Sequence, residues 1–355
     1  MKKLSLLAAA FALTSGLASC IAGAQPAAPP ADKQAPPAAV PPAAALKVEE
    51  KVSYAGNEGC IRLSNGTVEL VLATQLGPRI LRYAPAGSAE ADNLFGHVPE
   101  VTVKTDLGQW FIRGGHRLWH APEGKPRSYA PDNDPVQVVR EGDTFRLIQP
   151  VEKATGIEKE IDITLDPTGS HVVVVHKLTN RGQFAIEMSC WAMSVMNKGG
   201  TAILPQEPYQ SHDEALLPAR PLVLWPYTNL TDPRWSIGQK YITLRHDPDM
   251  KESQKVGILN RQGWAAYYRN SLLFFKRFPC EAEKTYPDFN SNNETYTDAA
   301  ILELETLGAL EKVQPGGTIS HREDWWLYKS VDIGNGEAGI AAALQPVLTD
   351  TAKKQ

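Results

Sequence analysis

Cysteine is scarce in this sequence, and the spacings that would give it a metal-binding role are missing. The chain of 355 residues holds four cysteines. No two of them form the Cys-x-x-Cys pair on which most cysteine-based zinc sites depend. Cys20 closes an N-terminal leader. For Cys60, Cys190 and Cys280 two states remain open in an exported protein, namely one disulfide with one free thiol, or three buried thiols.

The sequence also lacks a basic excess, an acidic tail and internal repeats. Its formal net charge is -4 and its pI is about 6.1, and it contains no basic stripe of the kind that binds nucleic acid. We therefore expect no nucleic-acid partner and predict a neutral or mildly anionic small-molecule ligand. Without a fixed repeat period, propellers and solenoids are excluded as well.

The one apolar run near the N-terminus is too short to cross a bilayer as a permanent helix. Two lysines precede it and small residues follow it, which is typical of a secretory signal. The ending LASC, residues 17–20, resembles the lipobox of bacterial lipoproteins, so we predict a signal peptide over residues 1–19 and lipidation of Cys20. The other interpretation is an ordinary signal peptide with an unrelated cysteine. Ile21, by resemblance to the sorting rules of Gram-negative lipoproteins, favours the outer membrane of the cell envelope.

The sequence divides into four segments. After the signal peptide, residues 20–46 are mostly alanine and proline, a composition that cannot form a core and that favours an extended tether. Residues 47–330 are predicted to form one domain, which is an ordinary size for an all-β sandwich. Residues 331–355 have an alanine-rich, weakly helical middle, and we expect them to form a peripheral or poorly ordered tail.

Short alternating segments separated by turn residues run through the whole domain. Asn65-Gly66 stands between two such segments, residues 61–63 and 68–72, and predicts a tight hairpin. Further turn signals occur at residues 166–169 and 314–317. Almost no segment has a helical apolar period. The predicted fold class is therefore all-β, with two large antiparallel sheets packed face to face.

Chemistry-bearing residues are concentrated in FIRGGHRLWHAPE, residues 111–123. Arg113 and Arg117 offer forked donors that suit carboxylates, phosphates or vicinal hydroxyls. Trp119 offers a flat apolar face for a sugar ring, and the glycine pair allows close backbone approach. The alternative is a β-bulge with a core tryptophan and surface arginines.

A metal site in the same segment is a further alternative. His116, His120 and Glu123 are ordinary zinc ligands, but Arg117 stands where the His-Glu-x-x-His motif needs glutamate. Pro122 also argues against a helix that would set both histidines on one face. We therefore predict neither a metal nor a cofactor.

Three segments resemble the galactose mutarotase-like superfamily, the large β-sandwich of aldose 1-epimerases. These are the opening hairpin followed by ATQLGPRI at residues 73–80, IRGG at 112–115, and AILELET at 300–306, which is followed by Pro-Gly-Gly and a tryptophan-rich strand. The whole pattern looks closest to an uncharacterised branch of that superfamily found in exported bacterial proteins. The resemblance implies a galactose mutarotase-like β-supersandwich.

Aldose epimerases open a hemiacetal ring with an acid and a base on opposite faces of the sugar. The resemblance gives Glu305 the role of base, with Glu303 as the alternative, because both lie on one face of a strand. The histidine that the family places after an Asn-containing turn is replaced here by Cys190 and Trp191. Either His116 or His120 supplies the acid, or the domain has kept a sugar cleft and lost its reaction.

Two loop residues complete the candidate site. His212 lies in a loop where cleft rims usually form, and Asn293 belongs to an amide- and aromatic-rich segment before the Glu303 strand. We thus expect a sugar or sugar acid to bind in one cleft. Its predicted lining is Arg113, His116, Arg117, Trp119, His120 and Glu305. The rival hypothesis is a non-catalytic carbohydrate-binding or envelope-assembly module.

Overall fold

The computed structural model describes residues 46–354 of the chain. The predicted signal peptide, Cys20 and nearly all of the predicted tether lie outside these residues. The strands are β1 (Lys47–Tyr54), β2 (Asn57–Ser64), β3 (Val68–Leu72), β4 (Arg79–Pro85), β5 (His97–Thr105), β6 (Gly108–Ala121), β7 (Gln137–Glu141), β8 (Thr144–Ile148), β9 (Ile157–Leu165), β10 (Val172–Asn180), β11 (Ile186–Met196), β12 (Thr201–Pro205), β13 (Leu222–Leu224), β14 (Trp235–Ile237), β15 (Tyr241–Arg245), β16 (Gln254–Ile258), β17 (Trp264–Arg269), β18 (Leu272–Arg277), β19 (Asn293–Thr297), β20 (Leu302–Leu307), β21 (Glu311–Val313) and β22 (Thr318–Tyr328).

The strands form two large antiparallel sheets, as the alternating sequence pattern predicted. The first sheet has twelve strands in the order β1-β2-β3-β4-β6-β11-β20-β19-β16-β13, with β5 added beside β6 and β21 beside β11. The second has ten, in the order β14-β15-β12-β17-β18-β22-β10-β9-β8-β7. At one end each sheet finishes on a strand of three residues, β13 or β14. Among the described residues, no helix is long and apolar enough to span a membrane.

The predicted hairpin at Asn65-Gly66 is present and joins β2 to β3. The Asn65 side-chain oxygen accepts the backbone N–H groups of Thr67 and Val68, at 2.9 and 3.0 Å. Its amide nitrogen donates to the carbonyls of Asp166 and Gly169, at 2.8 and 2.9 Å. Those carbonyls belong to the turn before β10, in the other sheet. One asparagine therefore ties together two turns that the sequence had marked separately.

The main core lies between the two sheets and is rich in aromatic rings. Trp325 is fully buried and packs against Phe274 and Phe95, with ring centroids 5.6 Å apart in both pairs. Tyr83 closes the cluster at 5.9 Å from Trp325. Alternate residues of β9, β10 and β22 contribute the aliphatic part of the core. Cys60 and Cys190 are buried, Cys280 is partly buried, and all three are free thiols.

A chain of polar side chains crosses this core. The Nδ1 atom of His176 lies 3.0 Å from the carbonyl oxygen of His321 and must carry the hydrogen, because a carbonyl can only accept. The Nε2 atom of His176 then accepts from Nε2 of His116, 2.6 Å away. That leaves Nδ1 of His116 to accept from the Ser194 hydroxyl at 2.9 Å. Both imidazoles are thus neutral, and burial holds the pKa of His116 well below its usual range.

Glu323 lies beside this chain and is held by stronger donors. Lys276 and the Trp325 indole donate to its two oxygens, each at 2.8 Å. Nitrogen atoms of His116 and His176 and an oxygen of Glu323 lie within 4.8 Å of one another, a spacing that suits metal ligands. The Lys276 ammonium beside the carboxylate disfavours a second cation, however, and the two imidazoles already bind each other. We therefore assign this cluster a structural role.

The C-terminal segment differs from the expectation of a peripheral tail. Residues Gly336–Thr351 form a helix whose Ile340, Leu344 and Val347 are buried against the second sheet. They contact a cluster that contains Trp264 and Trp326. The packing of this segment was not evident from the sequence, because its few large apolar residues are separated by alanines. The helix covers part of the face of the second sheet that is turned away from the core.

The Gly114-Gly115 pair forms a bend in β6, as the bulge interpretation predicted. Arg113, Gly114 and Gly115 all have positive φ, at 57°, 93° and 72°. Before the bend β6 pairs with β5, and after it β6 pairs with β4 and β11. A Cβ atom on Gly115 would lie 2.5 Å from the carbonyl oxygen of Ile80. Only glycine satisfies both the dihedral angle and this close approach.

Replacing Gly115 by alanine is expected to lower the free energy of unfolding by about 3 kcal/mol or more, from steric overlap added to backbone strain. The matched control is Gly66→Ala, where φ is 84° but no atom lies within 4 Å of the new Cβ, so that only about 1 kcal/mol of strain is expected. Urea denaturation of both variants measures the difference. Equal losses would contradict the close-packed bend.

Candidate functional site

A cavity of about 380 Å³ opens on the face of the first sheet that is turned away from the core. Strands β5, β6, β11, β16, β19 and β20 and the loops around them line it. Its lining is Val101, Val103, Trp110, Ile112, Arg117, Trp119, Glu123, Tyr129, Trp191, Met193, Trp225, Tyr227, Ser253, Lys255, Tyr296, Asp298, Ile301 and Glu303. We call this cavity the cleft.

Strand alternation decides which side chains reach the cleft. Arg117 and Trp119 of β6 lie on the cleft face, whereas Leu118 between them belongs to the core. Strand β20 repeats the pattern, since Glu303 lies on the cleft face and Leu304 points into the core.

Aromatic rings form one wall of the cleft. The Trp119 ring lies 5.4 Å from Trp110, 5.1 Å from Tyr129 and 5.5 Å from Trp191, measured between centroids. The last two contacts are edge-to-face, the geometry that aromatic pairs prefer. The cluster holds the rings in fixed orientations, so the wall is rigid before any ligand arrives.

Arg117 is fixed against this wall. Its guanidinium lies 5.4 Å from the centroid of Trp110 and 4.9 Å from that of Trp119, within the range of cation–π attraction. Its Nη2 donates to Glu303 at 3.0 Å. The Nε and Nη1 atoms are shielded from solvent and have no hydrogen-bond partner. The arginine is therefore part of the framework of the cleft.

Glu303 lines the cleft and has an unusual acidity for a carboxyl group. Burial raises its pKa to about 7, and the charge of Glu305 acts in the same direction. The Arg117 guanidinium opposes this shift but does not outweigh the loss of hydration. Glu303 therefore exchanges its proton near neutral pH, as a general acid or base must do.

Lys255 forms the second charged centre, at the floor of the cleft. Its ammonium lies 2.7 Å from Glu294 and 3.0 Å from Glu305, and it faces the rings of Trp191 and Trp225 at 4.8 and 4.7 Å. These carboxyl groups hold the pKa of Lys255 well above its usual range. Burial holds the pKa of Glu294 well above the usual range of a glutamate.

Glu305 contacts both Lys255 and Trp191. Its Oε2 accepts from the Trp191 indole at 2.8 Å and from Lys255 at 3.0 Å. Glu294 approaches the same ammonium at 2.7 Å, so two carboxyl groups face one cation. Glu305 is fully buried and is not among the residues that line the cleft, so its role is to position Lys255 and Trp191.

The structure corrects the predicted roles of the two histidines. His116 and His120 lie on the core face of β6, opposite Arg117 and Trp119, and neither lines the cleft. His116 binds Ser194 and His176, as described above. Burial lowers the pKa of His120 to about 3. Neither imidazole meets Glu303 or Glu305 across the cavity, and the metal alternative fails too, because Glu123 lies on the cleft side.

Three other predicted binding residues also lie elsewhere. Arg113 donates to Asn133 at 2.7 Å and stacks on Phe111, because the bend at Gly114 turns it away from the cleft. His212 is exposed beside Asp213 and contributes to no lining. Asn293 is buried behind the cleft, where its side chain donates to the Glu305 carbonyl at 2.8 Å.

The sequence analysis missed several residues that shape the cleft. Lys255 is the one charged residue of strand β16, and a lone charge in such a short strand was a usable signal. Trp191 occupies the place where a histidine was sought. Trp110, Trp225 and Asp298 come from separate segments, which only the folded chain brings together.

A second cavity, of about 300 Å³, lies near Asp132, Gln149 and Glu152. It is lined mainly by small, apolar and proline residues and contains no aromatic ring. Among the cavities found within residues 46–354, only the cleft combines several aromatic rings with a carboxyl group that titrates near neutral pH, so we take it as the candidate site.

Comparisons with known proteins concern the fold. No family model matches the chain, and no curated protein matches it. Among solved structures, a TPR-domain containing protein from Parabacteroides distasonis aligns with a TM-score of 0.53 and 13% identity, over 78% of this chain and 48% of that one. This chain thus spans about half the length of that protein.

Two further structures carry names from the family that the sequence resembles. A galactose mutarotase-like protein from Lactobacillus casei aligns with a TM-score of 0.49 and 14% identity, over 76% of this chain and 100% of that one. A protein from Klebsiella pneumoniae, whose name proposes an aldose 1-epimerase, aligns with a TM-score of 0.47 and 12% identity, over 85% of this chain and 87% of that one. At these identities and TM-scores the likeness says nothing about the activity or ligand of this chain.

The raised pKa of Glu303 makes the free energy of unfolding depend on pH. The folded chain keeps a proton that the unfolded chain releases above pH 4.5, the reference pKa of a glutamate. The Glu303 contribution to stability should therefore fall as the pH rises from 4.5 to about 7 and then level off. The buried histidines have lowered pKa values and make stability rise over part of the same range. Because they are common to both proteins, the difference in stability between wild type and Glu303→Gln isolates the Glu303 contribution.

Urea denaturation between pH 5 and 8 measures the slope, and ¹³C NMR of labelled glutamate measures the pKa directly. The exposed Glu281→Gln variant is the control and should keep the full slope. A Glu303 carboxyl that titrates near 4.5 would contradict the assignment.

Proposed function

We propose that the cleft binds a sugar. The observation that carries this proposal is its composition: rigid tryptophan and tyrosine rings provide flat apolar faces for a pyranose, and carboxyl and hydroxyl groups among them suit its hydroxyls. An apolar, largely preformed cavity with a few convergent polar groups is the usual form of a small-molecule site. Its volume of about 380 Å³ also lies in the usual range for such sites.

A second candidate function is epimerisation of the bound aldose. The observation that favours it is the pKa of Glu303, about 7, which suits proton exchange with an anomeric hydroxyl. Ring opening also needs a second group on the other face of the sugar. No histidine of residues 46–354 lines the cleft, so that role falls to a carboxyl or phenol group. Sugar binding needs no such partner and is the function that we put first.

Proton NMR of aldoses mixed with the protein tests binding and reaction together. We expect ligand line broadening that is lost in Trp119→Ala and weakened about tenfold in Tyr227→Ala, since an aromatic contact contributes ~1–2 kcal/mol. Tyr227 is 44% exposed, so its loss should leave the fold intact. Tyr209→Ala is the matched control, because Tyr209 is 64% exposed outside the cleft.

The same spectra report anomer interconversion. Exchange between anomers faster than the spontaneous rate, and lost in Glu303→Gln, would support epimerisation. Binding without faster exchange between anomers would support a non-catalytic carbohydrate-binding module. If no aldose broadens in any mixture, the proposal of a sugar site is wrong.

The proposal includes a place for the protein in the bacterial cell envelope, attached through lipid on Cys20 and, because of Ile21, at the outer membrane. What supports it is the sequence pattern of residues 1–21. Expression in a Gram-negative host with labelled palmitate should yield labelled protein in the membrane fraction. Cys20→Ser should abolish the label and release the protein, whereas Cys280→Ser, the control, should change neither. Label retained in Cys20→Ser would rule out this anchor.

A further inference from the structure

The charges of the cleft are not equally accessible. Both cations are buried, since the side chains of Lys255 and Arg117 are only 6% and 4% exposed. Each is also held by carboxyl groups, Lys255 by Glu305 and Glu294, and Arg117 by Glu303. A ligand carboxylate or phosphate would have to displace these contacts before it could reach either cation.

Two carboxylates of the cleft form no ion pair with a basic side chain of the described residues. Within residues 46–354, neither Asp298 nor Glu123 has a lysine, arginine or histidine nitrogen within 4.0 Å. Asp298 instead accepts the backbone N–H groups of Ala300 and Ile301 at 2.7 and 3.0 Å and the Tyr296 hydroxyl at 3.0 Å. These donors fix the carboxylate in place and leave its charge uncompensated.

Glu123 lies on the rim of the same cleft. Its Oε1 accepts the Tyr129 hydroxyl at 2.5 Å, and the residue as a whole is exposed. Together with Asp298 it makes the accessible part of the cleft negative. A uronic acid, which the sequence analysis left open as a ligand, would meet like charge here.

Aromatic rings stand beside these carboxylates. Tyr227 and Tyr296 line the cleft and meet edge to face with centroids 6.4 Å apart, whereas the rings of Trp225 and Tyr129 already have Lys255 and Lys125 over them. Ring faces attract cations, and ring faces combined with carboxylates are the usual surroundings of a bound ammonium group. Two independent features thus select for positive charge in the ligand.

We infer that the sugar bound in the cleft carries a cationic amino group, which Asp298, Glu123 and the neighbouring aromatic faces recognise. This inference rests on the proposed function, because it names the class of sugar for the same cleft. The neutral part of the ring packs on the tryptophan wall, and the ammonium group lies toward the two unbalanced carboxylates.

The test compares four probes at pH 6, where the sugar amine is charged: 2-amino-2-deoxyglucose, its N-acetyl derivative, glucose and glucuronic acid. Quenching of tryptophan fluorescence on the intact protein gives each Kd. We expect the free amine to bind about tenfold more tightly than glucose and its N-acetyl derivative. Glucuronic acid should bind most weakly. Raising the salt concentration should reduce the preference for the amine.

Two isosteric variants locate the preference. Asp298→Asn keeps the side-chain oxygen that accepts the backbone N–H groups of Ala300 and Ile301. In this variant the amino sugar should bind no more than about twofold more tightly than glucose. Glu123→Gln, at an exposed position, should lower the ratio as well and provides a second test if Asp298→Asn does not fold. Asp143→Asn is the control, since Asp143 is exposed on the turn between β7 and β8, and its ratio should stay at the wild-type value.

Each outcome separates the two proposals. Equal affinity for the amine and glucose, or tighter binding of glucuronic acid, would overturn the inference and leave the sugar site standing. A preference for the amine that persists in both Asp298→Asn and Glu123→Gln would also overturn it. The absence of binding by all four probes would overturn the inference and the proposed function together.

Discussion

The bend at Gly114-Gly115 is the constraint on which the arrangement of the site depends. Side chains alternate along a strand, so the point where β6 changes partners decides which residues face the ligand and which face the core. Arg117 and Trp119 reach the cleft, while His116 joins the polar chain of the core and His120 is buried on the same face of β6. A shift of one residue at the bend would exchange these two sets and destroy both environments.

The strand that carries Glu303 and Glu305 is held from both sides by buried lysines. From the core, Lys276 donates to the Leu304 carbonyl at 3.1 Å while it pairs with Glu323. From the cleft, Lys255 pairs with Glu305. Lys276 is balanced by Glu323 on the neighbouring strand β22, and Lys255 by Glu294 on β19 and Glu305 on β20, as burial requires. Strand β20 therefore has little freedom to move, and the backbone position of Glu303 is fixed by these contacts.

The overall fold was predictable from the sequence, because alternation and turn chemistry are local properties. The Asn65-Gly66 hairpin and the two antiparallel sheets are confirmed. The C-terminal helix was underestimated, since its packing depends on Trp264 and Trp326, which lie far away in the sequence.

The site was predictable only in part. Glu303, Arg117 and Trp119 do line one cleft. The two histidines do not, although their even spacing from one another and their odd spacing from Arg117 already placed them on the opposite face of a regular strand. Arg113 could not be placed, because the bend breaks the alternation between it and Arg117. Lys255 and Asp298 required the tertiary pairing of β16, β19 and β20, which no local pattern specifies.

The short terminal strands have a consequence for self-association. A long, flat strand at the edge of a sheet offers unpaired backbone groups to a second molecule and invites aggregation. Here β13 and β14 expose only three residues each, and at the opposite edge β1 carries four charged side chains among its eight residues and breaks its own register twice. Three of the four edges that the described strands form are therefore poor templates for pairing with a second copy.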